Sequence, residues 1–458
     1  MKGFLSWLIA ATVGFGLMAF SYFNYQHESN SNPWKDAFMY IGKGRPQSEP
    51  EGVEYVARPI RLLPVSGRAE NFMHVARGFG PNIEKSYRMS FQEKVILYSG
   101  LAADFTDQTL EWGRFPTADA NEAVAGFHAR CKDEITMDGH VFKVVGQFKK
   151  GVRLFADSYL LSDSTRTAEL FNPDHEPVQT AYILQLPADQ LADSQIREHL
   201  EKAFPKSQYT TYVPLIRTQQ NPFYLYVAGL ILLFLGGCLV LFRLYCSMAD
   251  RLRNTWLGTP LAEIRRYKHL FLTLHLIYFG AIVIFMFVSY LLPELQVCLL
   301  SAIRSQVTDG SGPLGVAGKA YMSKSIPLAA VTTFVINFFF GSLAVITLPS
   351  VILPGVGVLV AGLRAMLWGL LLAPTSDVLS RSMLPHSLTL LLEGEAYVIA
   401  AFFALLIPVF LFRRAEGSGI AHRYGKALLL NLKGNLLVAI VLTVAAIYEA
   451  IEVILAMG

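Results

Sequence analysis

The chain has 458 residues, 53% of them hydrophobic and only 16% charged, more apolar surface than one soluble core can hide. A formal net charge of +4, from 39 basic and 35 acidic residues, is too small and too dispersed for a nucleic-acid partner. Four cysteines, Cys131, Cys238, Cys246 and Cys298, have no CxxC or other metal-ligand spacing, so their order implies neither a disulfide framework nor a metal or cofactor site.

Apolar runs of about 20 residues recur, the length that crosses a hydrocarbon layer of about 30 Å. The fold class expected is an α-helical polytopic membrane protein. The first run, 4–22, follows a single Lys2. It reads as an uncleaved membrane helix (domain 1–22); the alternative is a signal peptide, since Ala19-Phe20-Ser21 resembles a small-x-small cleavage site. Residues 23–221 bring back Pro, Gly, Asn, Asp and Gln. Within them 54–63, 141–146 and 181–184 carry the β-branched and aromatic runs of strands. Asp193 or Ser194 is placed to cap a helix with an apolar face of Ile196, Leu200, Ala203 and Phe204. The stretch reads as one inserted α+β domain.

Three segments of this domain, Glu111-Trp112-Gly113-Arg114-Phe115-Pro116, Asn121-Glu122-Ala123-Val124-Ala125-Gly126 and Asp138-Gly139-His140-Val141-Phe142-Lys143-Val144-Val145-Gly146, resemble the extracytoplasmic domain of MacB/FtsX-type ABC-transporter permeases. The resemblance implies an outer domain that binds or transmits and performs no chemistry. Read without it, the same residues are turns and strand edges, with Gly where the backbone needs it.

A second membrane helix is expected at 222–245, then a basic connection, 246–269, carrying Arg251, Arg253, Arg265, Arg266 and Lys268. Basic connections mark the cytoplasmic side. The N-terminus is therefore expected inside and 23–221 outside. A third helix, 270–292, leads to a stretch rich in glycine from Gly310 to Gly318, read as a flexible loop. It resembles a P-loop, but the spacing is one residue too long and Ala320 replaces the Ser or Thr that would hold Mg²⁺. Residues 326–373 suit two crossings, broken near Pro349 and Pro354 because proline removes a donor and clashes one turn back. An external loop at 374–384, a helix at 385–412, a basic loop with Arg413, Arg414, His422, Arg423, Lys426 and Lys433, and a last helix at 436–456 bring the count to about seven.

Ionisable residues inside these spans are the candidate site. Counted at 1.5 Å per residue from the outer end, Arg364 lies about nine residues deep, Glu393 and Glu395 about eight to ten, and Glu449 about eight. Asn337 lies slightly deeper and His386 and Glu452 nearer the surface. A charge in lipid persists with a partner or in a water-filled cavity. One reading is an outer-half polar cavity or a proton, ion or headgroup site; the other is a static network that sets helix register. Glu393 and Glu395 stand about 200° apart on a helix and cannot point the same way; Glu393 shares a face with His386.

The segments from Asn337 to Gly341 and Gly355 to Gly369, then Pro385-His386, Glu393 with Ala396-Tyr397, and Ala446-Ile447-Tyr448-Glu449, resemble the stage II sporulation protein M family of integral membrane proteins over 270–458, with Phe338 and the His386-to-Glu393 spacing as departures. That resemblance implies a membrane component of envelope remodelling or transport with no established catalytic residue. No HExxH or GxSxG motif lies in a membrane segment, so the expectation is a non-enzymatic inner-membrane subunit without cofactor. Its expected contacts are membrane lipid and protein partners in the envelope. The alternatives are a permease-type subunit working with a separate ATPase, and an ion or proton carrier or intramembrane enzyme built on His386, Glu393 and Arg364. Small residues such as Gly357, Ala361 and Gly369 permit close helix contact, within one chain or in a homo-oligomer.

Overall fold

The computed structural model describes residues 2–30, 37–49, 55–62, 94–97, 109–117, 120–126, 129, 133–137, 139–149, 158–161, 179–185, 194–205, 207–212, 220–292, 295–296, 299–300, 303, 312–375, 377–412 and 419–457. Arg413, Arg414, Gly310, Asp193, Cys131 and Cys298 lie outside them. The chain divides into two compact units, one of 1–24, 218–292 and 302–458, the other of 25–217 with 293–301.

Among the described residues the helical unit holds six helices long and apolar enough to cross a membrane. These are α1 (Lys2–Asn30), α3 (Gln220–Arg251), α5 (Lys268–Leu291), α7 (Ile326–Ile352), α9 (Asp377–Phe412) and α10 (Ile420–Met457). A seventh apolar helix, α8 (Val356–Leu371), has 16 residues and reaches only about 24 Å. The tight turn between α7 and α8 uses Gly355 at φ +101°, backbone that favours glycine. At the centre stands α9, apolar all round and buried on every side from Ala396 to Ala404. Packed against it are α3, α5, α7, α8 and α10. α1 presents Phe4, Leu5, Leu8, Ile9 and Phe20 outward, as suits lipid.

Several connections are helical where the sequence suggested loops. α6 (Gly312–Met322) replaces the expected glycine-rich loop. Pro313 sits in its first turn, where its missing N–H costs nothing, and Tyr321 packs on α7 and α10, a tertiary gain that outweighs the poor propensity of glycine. Most of the basic connection 246–269 is helical: α3 continues to Arg251, α4 spans Gly258–Arg266 and α5 begins at Lys268. The expected external loop 374–384 is helix from Asp377. His422, Arg423, Lys426 and Lys433 lie on α10. The two basic segments meet at one end of the bundle, where the Lys433 ammonium lies 5.9 Å from the Trp256 ring centre.

Within α7, Ile336–Thr347 is π-helical. Leu348 donates its N–H five residues back to the Leu343 carbonyl, and Pro349, one residue on, has no N–H to restore the tighter pattern. Asn337 falls in the first turn of this segment.

The second unit carries a mixed sheet of β1 (Ala37–Gly42), β2 (Tyr55–Leu62), β3 (Lys94–Leu97), β4 (Leu110–Gly113), β5 (Glu122–Ala125), β6 (Glu134–Met137), β7 (His140–Phe148), β8 (Ser158–Leu161), β9 (Gln179–Gln185) and β10 (Tyr209–Tyr212). The spatial order is β10-β1-β9-β2-β3-β8-β5-β7-β4, with β6 also on β7. Only β3–β8 and β5–β7 are parallel. The expected strands fall on β2, β7 and β9. In β7 the alternation buries Phe142, Val144 and Phe148, the period of two that a half-covered sheet requires. The expected amphipathic helix is α2 (Ser194–Ala203), whose Leu200 and Ala203 pack with the adjoining Phe204 against Tyr182, Leu184 and Tyr209.

The Gly-Arg and Asn-Glu segments meet in space. Arg114 forks onto Glu122 with Nη1 to Oε2 at 2.7 Å and Nη2 to Oε1 at 2.5 Å, and Thr117 donates its N–H and hydroxyl to the same carboxylate at 3.0 Å. Donors from the Arg114 guanidinium first, then from Thr117, hold the Glu122 carboxyl at about 2, well below the usual range. Gly113, at φ +82°, passes so close to the Val145 carbonyl that a side chain there would collide with backbone.

Candidate functional site

Buried polar side chains of α3 and of α5 to α10 gather in two separate centres. The first joins α7, α8 and α9. Arg364, on α8, donates from Nη2 to the Tyr397 hydroxyl at 2.6 Å and to Asn337 Oδ1 at 3.3 Å. Its guanidinium carbon lies 4.0 Å from the Tyr397 ring centre and 5.7 Å from that of Trp368, so charge and plane are both engaged. Asn337 turns its other end to Glu393 and donates from Nδ2 to Oε1. Arg364 and Glu393 are thus coupled through an amide that accepts from the cation and donates to the anion. Gly341, one turn along the π segment, leaves the space that the guanidinium occupies.

Carboxyls continue from this centre toward the C-terminus of α10. Glu449 accepts from Tyr321 Oη on α6 at 2.9 Å. A phenol has one proton to give, so Thr333, 2.8 Å away, donates to Tyr321 in turn. Glu452 lies 3.1 Å from His386 Nδ1 through Oε1 and accepts from Thr389 at 2.8 Å through Oε2. α9 and α10 run antiparallel here, so positions 386, 389 and 393 of one descend against 452 and 449 of the other. In the opposite direction along α7, Thr347 donates to Asn435, which donates to Asn431. Arg364, Asn337 and Glu393 are therefore joined by hydrogen bonds, while Glu449 and His386 make separate bonds along the facing sides of α9 and α10.

Glu395 does not join it. Two residues of helix turn it to the opposite face of α9, where it is fully buried against α3 and α5. Its Oε2 lies 2.7 Å from His275 Nε2, and His275 Nδ1 lies 2.8 Å from the Phe271 carbonyl. The buried, free Cys238 of α3 completes a cluster whose ligand atoms all lie within 4.8 Å of one another. His275, Cys238, Tyr321 and the pair Asn431 and Asn435 escaped the sequence reading. The first had a signal, because an ionisable residue inside LTLHLIYF is as unusual as Arg364 in its own span. The pairing of Cys238 with residues 37 and 157 positions away had none.

Comparison with family profiles, curated proteins and solved structures finds no match.

Proposed function

We propose that this chain is a non-enzymatic bacterial inner-membrane subunit of a cell-envelope or transport complex, its sheet domain engaging a partner outside the membrane. The observation that carries the reading is the insertion of a folded ten-stranded sheet unit between the first two long apolar helices, an arrangement that gives a membrane bundle a large surface for partners. Trp112 and Val141 stand exposed on β4 and β7 and offer apolar anchors of the kind interfaces use. The positive-inside rule supports a cytoplasmic N-terminus, given basic segments gathered at one end of the bundle. The permease form of the proposal, suggested by the MacB/FtsX-like segments, makes α4 the docking element for a separate ATPase. Leu261 and Ile264 anchor α4 to the bundle, while Arg265 stands half-exposed.

The test is crosslinking in intact cells with a photoreactive residue at Val141, followed by purification of the full chain. A discrete adduct with an envelope protein, reduced in Trp112→Ala, is expected. An ATPase in the same complex marks the permease form, and a peptidoglycan hydrolase marks envelope remodelling. A chain that purifies with neither adduct nor partner overturns the proposal.

A second reading, proton or cation passage, is favoured by the carboxyls of Glu393, Glu449 and Glu452 gathered along the facing sides of α9 and α10. Ionisable side chains inside a membrane bundle mark ion and proton pathways. Proteoliposomes with an imposed potential and a trapped pH dye are expected to show a flux that falls at least tenfold in Glu393→Gln. Wild-type vesicles no leakier than protein-free ones overturn that reading.

A further inference from the structure

On the far face of α9, independent of the Arg364 centre, three helices point one metal-ligating side chain each at a common point. We propose that Cys238, His275 and Glu395 form a buried site for a single zinc-class divalent cation that clamps α3, α5 and α9 together.

The donor atoms are oriented as a metal site requires. The hydrogen bond from Nδ1 of His275 to the Phe271 carbonyl places the proton on Nδ1 and leaves the Nε2 lone pair facing Glu395 and Cys238, the usual outer support of a metal-bound imidazole. Tetrahedral zinc with bonds of about 2.0 to 2.3 Å sets ligand atoms roughly 3.3 to 3.8 Å apart. Nε2 and Oε2, now 2.7 Å apart, need to part by only roughly 0.7 Å. Cys238, His275 and Glu395 are 6%, 4% and 0% exposed, so water does not compete for the site.

A second observation separates this arrangement from a simple buried ion pair. Pairing His275 with Glu395 accounts for Nε2 and Oε2 alone. It leaves Glu395 Oε1 without a hydrogen bond in the structure, near the hydroxyl of Tyr245, a 4% exposed residue two turns along α3 from Cys238. A buried carboxylate oxygen without a partner is costly. A cation would take up the unpaired carboxylate oxygen, with the Tyr245 oxygen as a fourth ligand. The donor set also selects the ion. A thiolate and an imidazole favour zinc over the oxygen-seeking Mg²⁺ and Ca²⁺.

The charges balance. Thiolate, carboxylate, neutral imidazole and dication together carry no net charge, which keeps the cost of burial low, and any protons held by these ligands would be released on binding. An apolar groove of about 420 Å³, lined by Cys238, His275, Phe234 and Phe279 among others, runs beside the site.

The experiment uses the full chain purified in detergent. Elemental analysis is expected to find a single zinc per chain, removed by a strong chelator and restored on adding zinc, with thermal unfolding raised on restoration. Cobalt in place of zinc is expected to give a thiolate-to-metal charge-transfer band, lost in Cys238→Ser and kept in Cys246→Ser. Labelling of wild-type Cys238 with a maleimide should be slow with zinc and faster after chelation, which tests the site even where the variant fails to fold. No stoichiometric zinc and no thermal shift in the wild type would overturn the proposal, as would a cobalt band that survives Cys238→Ser. Loss of partner adducts or proton flux has no bearing on these readouts, so this inference and the proposed function fail separately.

Discussion

Replacing Arg364 with alanine removes the cation that Asn337 and Tyr397 are arranged around and leaves their polar atoms buried against Glu393. Breaking such a buried network is expected to cost about 3 to 5 kcal/mol, read as a lower midpoint in thermal unfolding of the purified protein. Arg364→Lys should recover less than half of that loss, because an ammonium cannot reach Asn337 and also lie flat over the Tyr397 ring. In the sheet unit, Glu122 makes a pH-dependent contribution. Its carboxyl is held at about 2 against an ordinary value of 4.5, so the stabilisation is complete above about pH 4.5 and is lost as the pH falls toward 2. Arg114 is half-exposed to solvent, which reduces the effect to about 1 kcal/mol. Glu122→Gln should flatten the acid limb of a stability profile between those values without altering stability at neutral pH by more than the same amount. Individual ionisable residues in lipid could be read directly from the sequence, because Arg364 and Glu393 interrupt otherwise apolar runs. Their coupling could not, since it passes through Asn337, whose height and direction depend on the winding of α7.

That winding is the feature of secondary structure least visible in the residues. Ile336–Thr347 has the composition of an ordinary membrane helix, and nothing in FVINFFFGSLAVIT signals hydrogen bonds to the fifth residue back instead of the fourth. π turns are rare and concentrate at functional positions. Amide exchange in this segment is expected to exceed that of the central turns of α9, which are enclosed on every side; equal protection in the two would contradict the wider winding. By contrast, long apolar runs and the alternation of β7 were legible, because each follows from burial of one element against its surroundings. α6 was not. Its glycines argue for a loop, and only contact with α7 and α10 makes it a helix. Sheet order was equally hidden: β3 pairs with β8, and β1 with both β9 and β10, at separations no local pattern encodes.

As a whole the molecule is two units with separate cores, and acid should distinguish them. Lowering the pH toward 2 is expected to unfold the sheet unit first, seen as loss of strand signal in far-ultraviolet circular dichroism while helical signal remains; a single cooperative loss of both would contradict independent cores. The helical unit also combines members of very unequal length. α10, with 38 residues, extends about 57 Å, and α8 about 24 Å. Yet α8 offers an outward row of Leu359, Leu363 and Leu367, an apolar strip shorter than the acyl layer it must face. Lipid alongside α8 is therefore drawn thin while lipid alongside α10 is not, and the chain carries a gradient of hydrophobic mismatch around its own perimeter. Short-chain phospholipids should gather on one flank and longer ones on the other.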